Sequence, residues 1–213
     1  MIGSRVGFVH GPVVSRGPRP GRPRAAVAVL ACVTLAAVAL TGCSSNSSGS
    51  PTATTSVVDQ IAPQDRVDVE AFTGTQLDGQ PFDSDDLAGQ GVVYNVWGSW
   101  CAPCRTEAAA LARVSRANEG TGVRFIGINV RDNDAAAVAF EDSYDIAYPS
   151  INTDTSSGAL LAFGPALPPS AVPSTMIIDE QGRLAARVIG PVDESTLEAL
   201  IADTLSEEPG GRS

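Results

Sequence analysis

"GVVYNVWGSWCAPCRTE", Gly91 to Glu107, sets the frame for the rest of the chain. Its first half, Gly91 to Trp97, is a β-branched run bounded by glycine and reads as a buried strand. Its second half opens a helix from Ala102 to about Asn118, with Ala108, Leu111, Ala112 and Val114 spaced for one face. Cys101 therefore stands where strand and turn give way to helix. Unpaired backbone N–H groups and the positive end of the helix dipole gather there, and both favour thiolate over thiol. Such surroundings bring a cysteine pKa from about 8.5 towards ~3.5–7.5, and the thiolate is the species that attacks disulfides. Cys104 lies within one helical turn and can close a disulfide back to Cys101. Pro103 costs little in a first turn, where its missing N–H has no partner to lose. A permanently closed structural disulfide is the alternative, but so small a ring constrains the unfolded chain far less than a long loop does. Redox work is the better use of the pair.

Working outward, "VRFIGINV", Val123 to Val130, reads as a second buried strand, and "DNDAAAVAFEDSY" as a helix capped between Asp132 and Asp134. "TSSGALLAFG" is a further helical stretch ending at Gly164, and a proline-rich loop follows to Pro173. "TMIIDEQGRLAARVIG" gives two strands joined at Gln181-Gly182. A closing helix, "DESTLEALIADTL", puts Leu197, Leu200, Ile201 and Leu205 on one face, with Asp193 or Ser195 as its cap. Upstream, "VEAFTGTQLDGQPFD" turns as a hairpin at Asp78-Gly79. This order predicts an α/β sandwich with a mixed sheet. It occupies one domain over residues 65–206, a size at which a single core suffices, and leaves a frayed tail over 207–213.

The N-terminal region has another character. Residues 1–24 carry Arg5, Arg16, Arg19, Arg22 and Arg24 and no acid, and Ala25 to Leu40 is uncharged. That is a basic segment and an apolar one too short to span a bilayer comfortably. It ends in "LTGC", Leu40 to Cys43, which resembles a bacterial lipobox. The expectation is a signal peptide over 1–42, lipidation of Cys43, and a flexible Ser/Thr/Pro-rich linker over 43–64. The product would be anchored on the extracytoplasmic face of the cell membrane. Without residues 1–42, nine arginines face 24 acidic residues, a net charge of −15, and the chain has no lysine. So acidic a surface argues against nucleic acid and anionic lipid headgroups. His10 and Cys32 leave with the signal, so Cys–His and Ser–His catalysis are excluded. A zinc site built on Cys101 and Cys104 would lack two ligands. No metal and no cofactor beyond the dithiol pair is expected.

"WCAPC" behind an apolar strand, with "VPST" at Val172 to Thr175 before the next strand, resembles the thioredoxin superfamily. "DGQPF" at Asp78 to Phe82, "LAGQGVVYNVWGSWCAPCRTE" and the insertion between Val130 and Pro173 are similar to membrane-tethered thiol–disulfide oxidoreductases of the TlpA/ResA type. The likeness covers Val69 to Leu205. It implies a thioredoxin-like fold: a central mixed sheet flanked by helices, an N-terminal hairpin and a helical insertion. It also implies that Cys101 attacks, Cys104 resolves, and the two form the redox-active disulfide. Pro173 would be a cis-proline facing them, and Val172 would offer its backbone to an extended substrate segment. Many thioredoxins bury an acid six residues before the first cysteine; here Asn95 stands there and cannot take a proton. The resemblance instead points to Glu107, which could exchange a proton with Cys104 if desolvated and is otherwise a solvated helix glutamate. Trp97 is expected in the core and Trp100 on the rim of the active site.

The function so implied is reduction of disulfides in client proteins, with apocytochrome c among the candidates and a membrane thiol–electron transporter as the source of electrons. A monomer is expected. A disulfide-forming oxidase of secreted proteins would use the same residues. A thiol peroxidase of the same superfamily would want Thr or Ser where Gly98 stands. A copper chaperone of related fold would want CxxxC and a histidine.

Overall fold

The computed structural model describes residues 55–206. The expected signal peptide, the expected lipidation at Cys43, the linker up to residue 54 and the tail from 207 lie outside them. Eight strands and four α-helices follow in order: β1 (Val57–Gln60), β2 (Thr73–Thr75), β3 (Pro81–Asp83), β4 (Gly91–Trp97), α1 (Ala102–Ala117), β5 (Val123–Asn129), α2 (Asp134–Tyr144), β6 (Ser150–Ile151), α3 (Ser156–Ala162), β7 (Ser174–Ile178), β8 (Leu184–Ile189) and α4 (Glu194–Ser206). Six strands form one sheet in the order β1-β8-β7-β4-β5-β6, and β2 pairs with β3 as a separate hairpin. The β4–β5 and β5–β6 pairs are parallel, and the remaining three are antiparallel. This is the mixed, thioredoxin-like sheet expected.

All seven residues of β4 are buried, because helices and loops cover both faces of the central strands; a run covered on both sides has no polar alternation to show. Val92, Tyr94 and Val96 point to one side, where Phe72, Phe82 and Phe163 from the hairpin and the α3 region meet them. Val93 points to the other, onto Leu111 and Val114 of α1 and Leu197 and Leu200 of α4. The hairpin turns where predicted: Gly79 sits at φ 83°, a conformation glycine adopts without a Cβ penalty, and Asp78 Oδ1 accepts from Gln80 N at 2.9 Å.

Several boundaries move. β1 lies inside the segment read as linker, and residues 57–60 belong to the folded sheet through antiparallel pairing with β8. It was invisible as a strand because it is an edge held by main-chain hydrogen bonds, with Val57 and Val58 left 54% and 44% exposed, so no burial pattern marks it. The third helix is short, Ser156–Ala162, with a 3-10 turn from Gly164 to Ala166 behind it. Asn133 caps α2 by accepting from Ala136 N at 3.0 Å. Asp193 rather than Ser195 serves α4, accepting from Thr196 N at 2.8 Å. Leu205, expected on the buried face of α4, is 38% exposed in the last turn.

Gly127 of β5 shows how tightly the sheet is packed below the cysteines. A Cβ there would collide with Ser150 Oγ and lie 2.7 Å from Trp97 Nε1, and both neighbours are buried and joined to each other by a 3.3 Å hydrogen bond. Gly127→Ala is therefore expected to cost about 1–3 kcal/mol of stability, read as a lower denaturation midpoint at unchanged m-value.

Candidate active site

The site is assembled where β4 ends. The chain leaves Trp97, turns through Gly98, Ser99 and Trp100, and enters α1 with Cys101 as its capping residue. Cys101 N donates to Gly98 O at 3.0 Å, closing the turn. Cys101 Sγ accepts from Cys104 N at 3.2 Å, so one of the helix's unpaired N–H groups points at this sulfur, as the spacing required. Cys101 and Cys104 form a disulfide with Cα atoms 5.3 Å apart. Both are almost fully buried in this oxidised state. Burial thus does not separate their roles; position does, since only Cys101 occupies the cap.

The turn is clamped from below by the loop after β5. Asp132 Oδ2 accepts from Ser99 N at 2.6 Å and Oδ1 from Ser99 Oγ at 2.8 Å. Asn129 Nδ2 and Asn133 N also donate to this carboxylate. Burial pushes the Asp132 carboxyl up, but these donors together hold it below the usual carboxylate range. Trp100 is 48% exposed, with its indole N–H donating to Val130 O at 3.2 Å. Trp97, by contrast, is buried and stacks on Phe140 of α2 at 4.6 Å. The two tryptophans divide between rim and core as expected. The sequence pattern does not reveal the Asp132 clamp, since it marks the Asp132–Asp134 stretch only as a source of helix caps. A carboxylate 33 residues from its partner leaves no local signal.

On the opposite side stands the loop before β7. The Val172–Pro173 peptide bond is cis, and Val172 packs against the same cluster as Trp97, Cys101 and Cys104. Ser174 and Thr175 then pair across the sheet with Val96 and Asn95, which brings this loop alongside the end of β4.

Glu107 proves to be a buried carboxyl, not a solvated one; it is 2% exposed. It lies on the same face of α1 as Cys104, one turn further on. Its Oε1 accepts from Asn95 Nδ2 at 2.9 Å and its Oε2 from Val192 N at 2.9 Å. Desolvation raises its pKa from 4.5 to about 7 against the lowering effect of these two donors. Both are neutral, so no cation offsets the burial. The neighbouring Tyr148 hydroxyl is pushed well above its ordinary range, chiefly by burial and further by the charges of Glu107 and Glu141. Asn95 cannot take a proton, yet its side-chain amide orients the carboxyl that can. Among the described residues no group of three or more Cys, Asp, Glu or His side chains is arranged to hold a metal ion.

The profile of the Redoxin family matches residues 51–201. The thiol-disulfide oxidoreductase ResA of Bacillus subtilis is 30% identical over 130 residues, 61% of this chain and 70% of its own. The thiol:disulfide interchange protein DsbE of Allochromatium vinosum is 32% identical over 133 residues, 62% of this chain and 70% of its own. Among solved structures, a DsbF homologue from Corynebacterium diphtheriae superposes with a TM-score of 0.62 at 32% identity, covering 72% of this chain and 96% of that one. A secreted thiol-disulfide isomerase from Corynebacterium glutamicum gives 0.64 at 28% identity, covering 74% and 96%. A helix-capping CxxC disulfide, a cis-proline loop beside it and a mixed sheet accord with these matches, and the chain belongs to the redoxin family, among the thioredoxin-like thiol–disulfide oxidoreductases of the TlpA/ResA type.

Proposed function

We propose that the protein reduces disulfides of extracytoplasmic client proteins, apocytochrome c being one candidate, while held to the membrane by a lipid on Cys43. The observation that carries the reductive mechanism is the burial of Glu107 one turn beyond Cys104, with its pKa at about 7. In the reduced protein, Cys101 thiolate attacks one sulfur of the client disulfide. The Cys101–client bond forms, the client bond breaks, and the client's other sulfur leaves as thiolate. Cys104 then gives its proton to the Glu107 carboxylate and attacks the Cys101 sulfur, closing the intramolecular disulfide and expelling the second client sulfur. Two electrons pass from the protein dithiol to the client, and a dithiol donor such as a membrane thiol–electron transporter restores the starting state. A base with a pKa near neutrality suits this transfer, because it is partly ionised at working pH yet basic enough to accept. Val172, at the surface loop beside the pair, offers an extended client segment a main chain to pair with.

The sheet register supports the tethered arrangement. Val57, where β1 begins, stands in one row with Ile189, Ser174 and Val96, so the chain enters the domain at the cysteine end of the sheet. A flexible linker from a lipid on Cys43 would join the domain at that end and leave it within reach of a membrane-embedded electron donor. Extracytoplasmic placement accords with the secreted relative from Corynebacterium glutamicum.

The test is a reduction potential together with turnover. A potential below about −200 mV, with catalysed reduction of insulin disulfides by dithiothreitol, is the expected result. A value near about −120 mV would reverse the direction to disulfide formation, and peroxide consumption without insulin reduction would replace the reading by a peroxidase. Loss of an acyl label in Cys43→Ala checks the anchor.

A further inference from the structure

The rim beside the disulfide is cationic in a chain whose net charge is −10. Several arginines among the described residues are bound up in ion pairs, such as Arg183 with Asp179 and Arg187 with Asp59. Arg105, Arg124 and Arg131 make no pair with an acid among the described residues. Arg124 lies at the start of β5, and the other two converge on the turn before Cys101. Arg105 Nη2 donates to Ser99 O at 2.7 Å, leaving most of its five N–H donors unspent. The Arg131 guanidinium carbon lies 4.9 Å from the centre of the Trp100 ring.

Arg131 also carries backbone strain. Its φ is 52°, in the left-handed region where glycine or asparagine is the unstrained choice. Residues held in such conformations gather at functional sites because the surrounding structure imposes them. Here the residue so held is the one whose guanidinium lies over the face of a half-exposed indole. Asp132, next along the chain, keeps its negative charge under the turn, but its carboxylate is already hydrogen-bonded to Ser99, Asn129 and Asn133, and two guanidinium groups outnumber it at the rim.

Resting on the oxidoreductase reading above, we propose that Arg105, Trp100 and Arg131 form a specificity rim selecting clients in which an aspartate or glutamate flanks the cysteine under attack. A guanidinium matches a carboxylate with two parallel hydrogen bonds. Tryptophan and arginine are the residue types that most often dominate the energetics of a protein contact. The chain's overall negative charge repels acidic partners only at range, and beyond about 8 Å at physiological salt that repulsion is screened. Discrimination is then left to charges in direct contact.

The experiment uses the reduced full chain and two disulfide-containing peptides identical except for Asp or Asn next to the cysteine, comparing kcat/KM. The native protein is expected to favour the Asp peptide by roughly tenfold, the equivalent of two partly exposed ion pairs. The double variant Arg105→Gln, Arg131→Gln should bring the ratio to about one, and Arg131→Glu should reverse it. Arg124→Glu changes the same charge at the far end of β5 and should leave the native ratio in place. Because each variant is its own reference, a general loss of rate or stability cancels in the ratio. A native ratio near one, or an equal shift from Arg124→Glu, overturns the rim while leaving the oxidoreductase reading intact. Reduction of neither peptide overturns that reading, and the rim with it.

Discussion

Cys104→Ser is expected to stop the reaction halfway. Cys101 keeps its place at the start of α1 and still attacks, but nothing within reach of its sulfur can then expel the client. Intramolecular partners held in position act at effective concentrations that reach about 10⁵–10⁸ M, whereas an external thiol at millimolar level must replace Cys104 by collision. Turnover with insulin should fall on the order of a thousandfold or more, while covalent client adducts accumulate in membrane fractions and dissolve on treatment with dithiothreitol. Cys101→Ser should lose turnover equally but trap nothing, because the cysteine left inside the first turn of α1 lacks the capping position. Equal trapping by both variants would assign the attack to the wrong sulfur. The trapped clients also decide between cytochrome maturation and general reduction.

Glu107→Gln should separate chemistry from stability, moving them in opposite directions. In the folded protein, burial raises the Glu107 pKa to about 7, against 4.5 for an unperturbed glutamate. The folded state then binds the proton more tightly than the unfolded one. The associated stability is fully present below pH 4.5 and is lost as pH rises through 7, by about 3 kcal/mol in all. Glutamine has no charge to desolvate, so the variant should be flat over this window. Matching the protonated native protein at pH 4.5 and losing nothing as pH rises, at pH 8 it should be more stable than the native protein by about 3 kcal/mol. Meanwhile the resolving step, followed as decay of a preformed mixed disulfide, should slow by about 100-fold and lose its dependence on a group titrating near 7. Denaturant titrations at pH 4.5, 6 and 8 and a stopped-flow series over the same range make the comparison. A constant stability difference across pH would show that the carboxyl ionises no differently when folded.

The sequence by itself carried the central elements and the pair at their junction. A seven-residue run buried on both faces, a one-sided helix and a cysteine between them are local patterns, each written within one or two turns of chain. For the same reason Cys101 and Cys104 were visible, whereas Pro173 was marked out among neighbouring loop prolines only by the resemblance to the thioredoxin superfamily. What depended on the tertiary structure was decided by residues far apart in the chain. β1 became a strand because β8 offered it an edge, not because its own pattern demanded burial. Glu107 became a buried acid because Asn95 from β4 and Val192 from the loop before α4 close over it, and helix periodicity alone could not distinguish that from a solvated glutamate. Asp132 and Arg131 joined the site because the β5–α2 loop folds beneath the cysteine turn. Burial and charge environment are sums over every neighbour in space, and a linear pattern records only the neighbours along the chain.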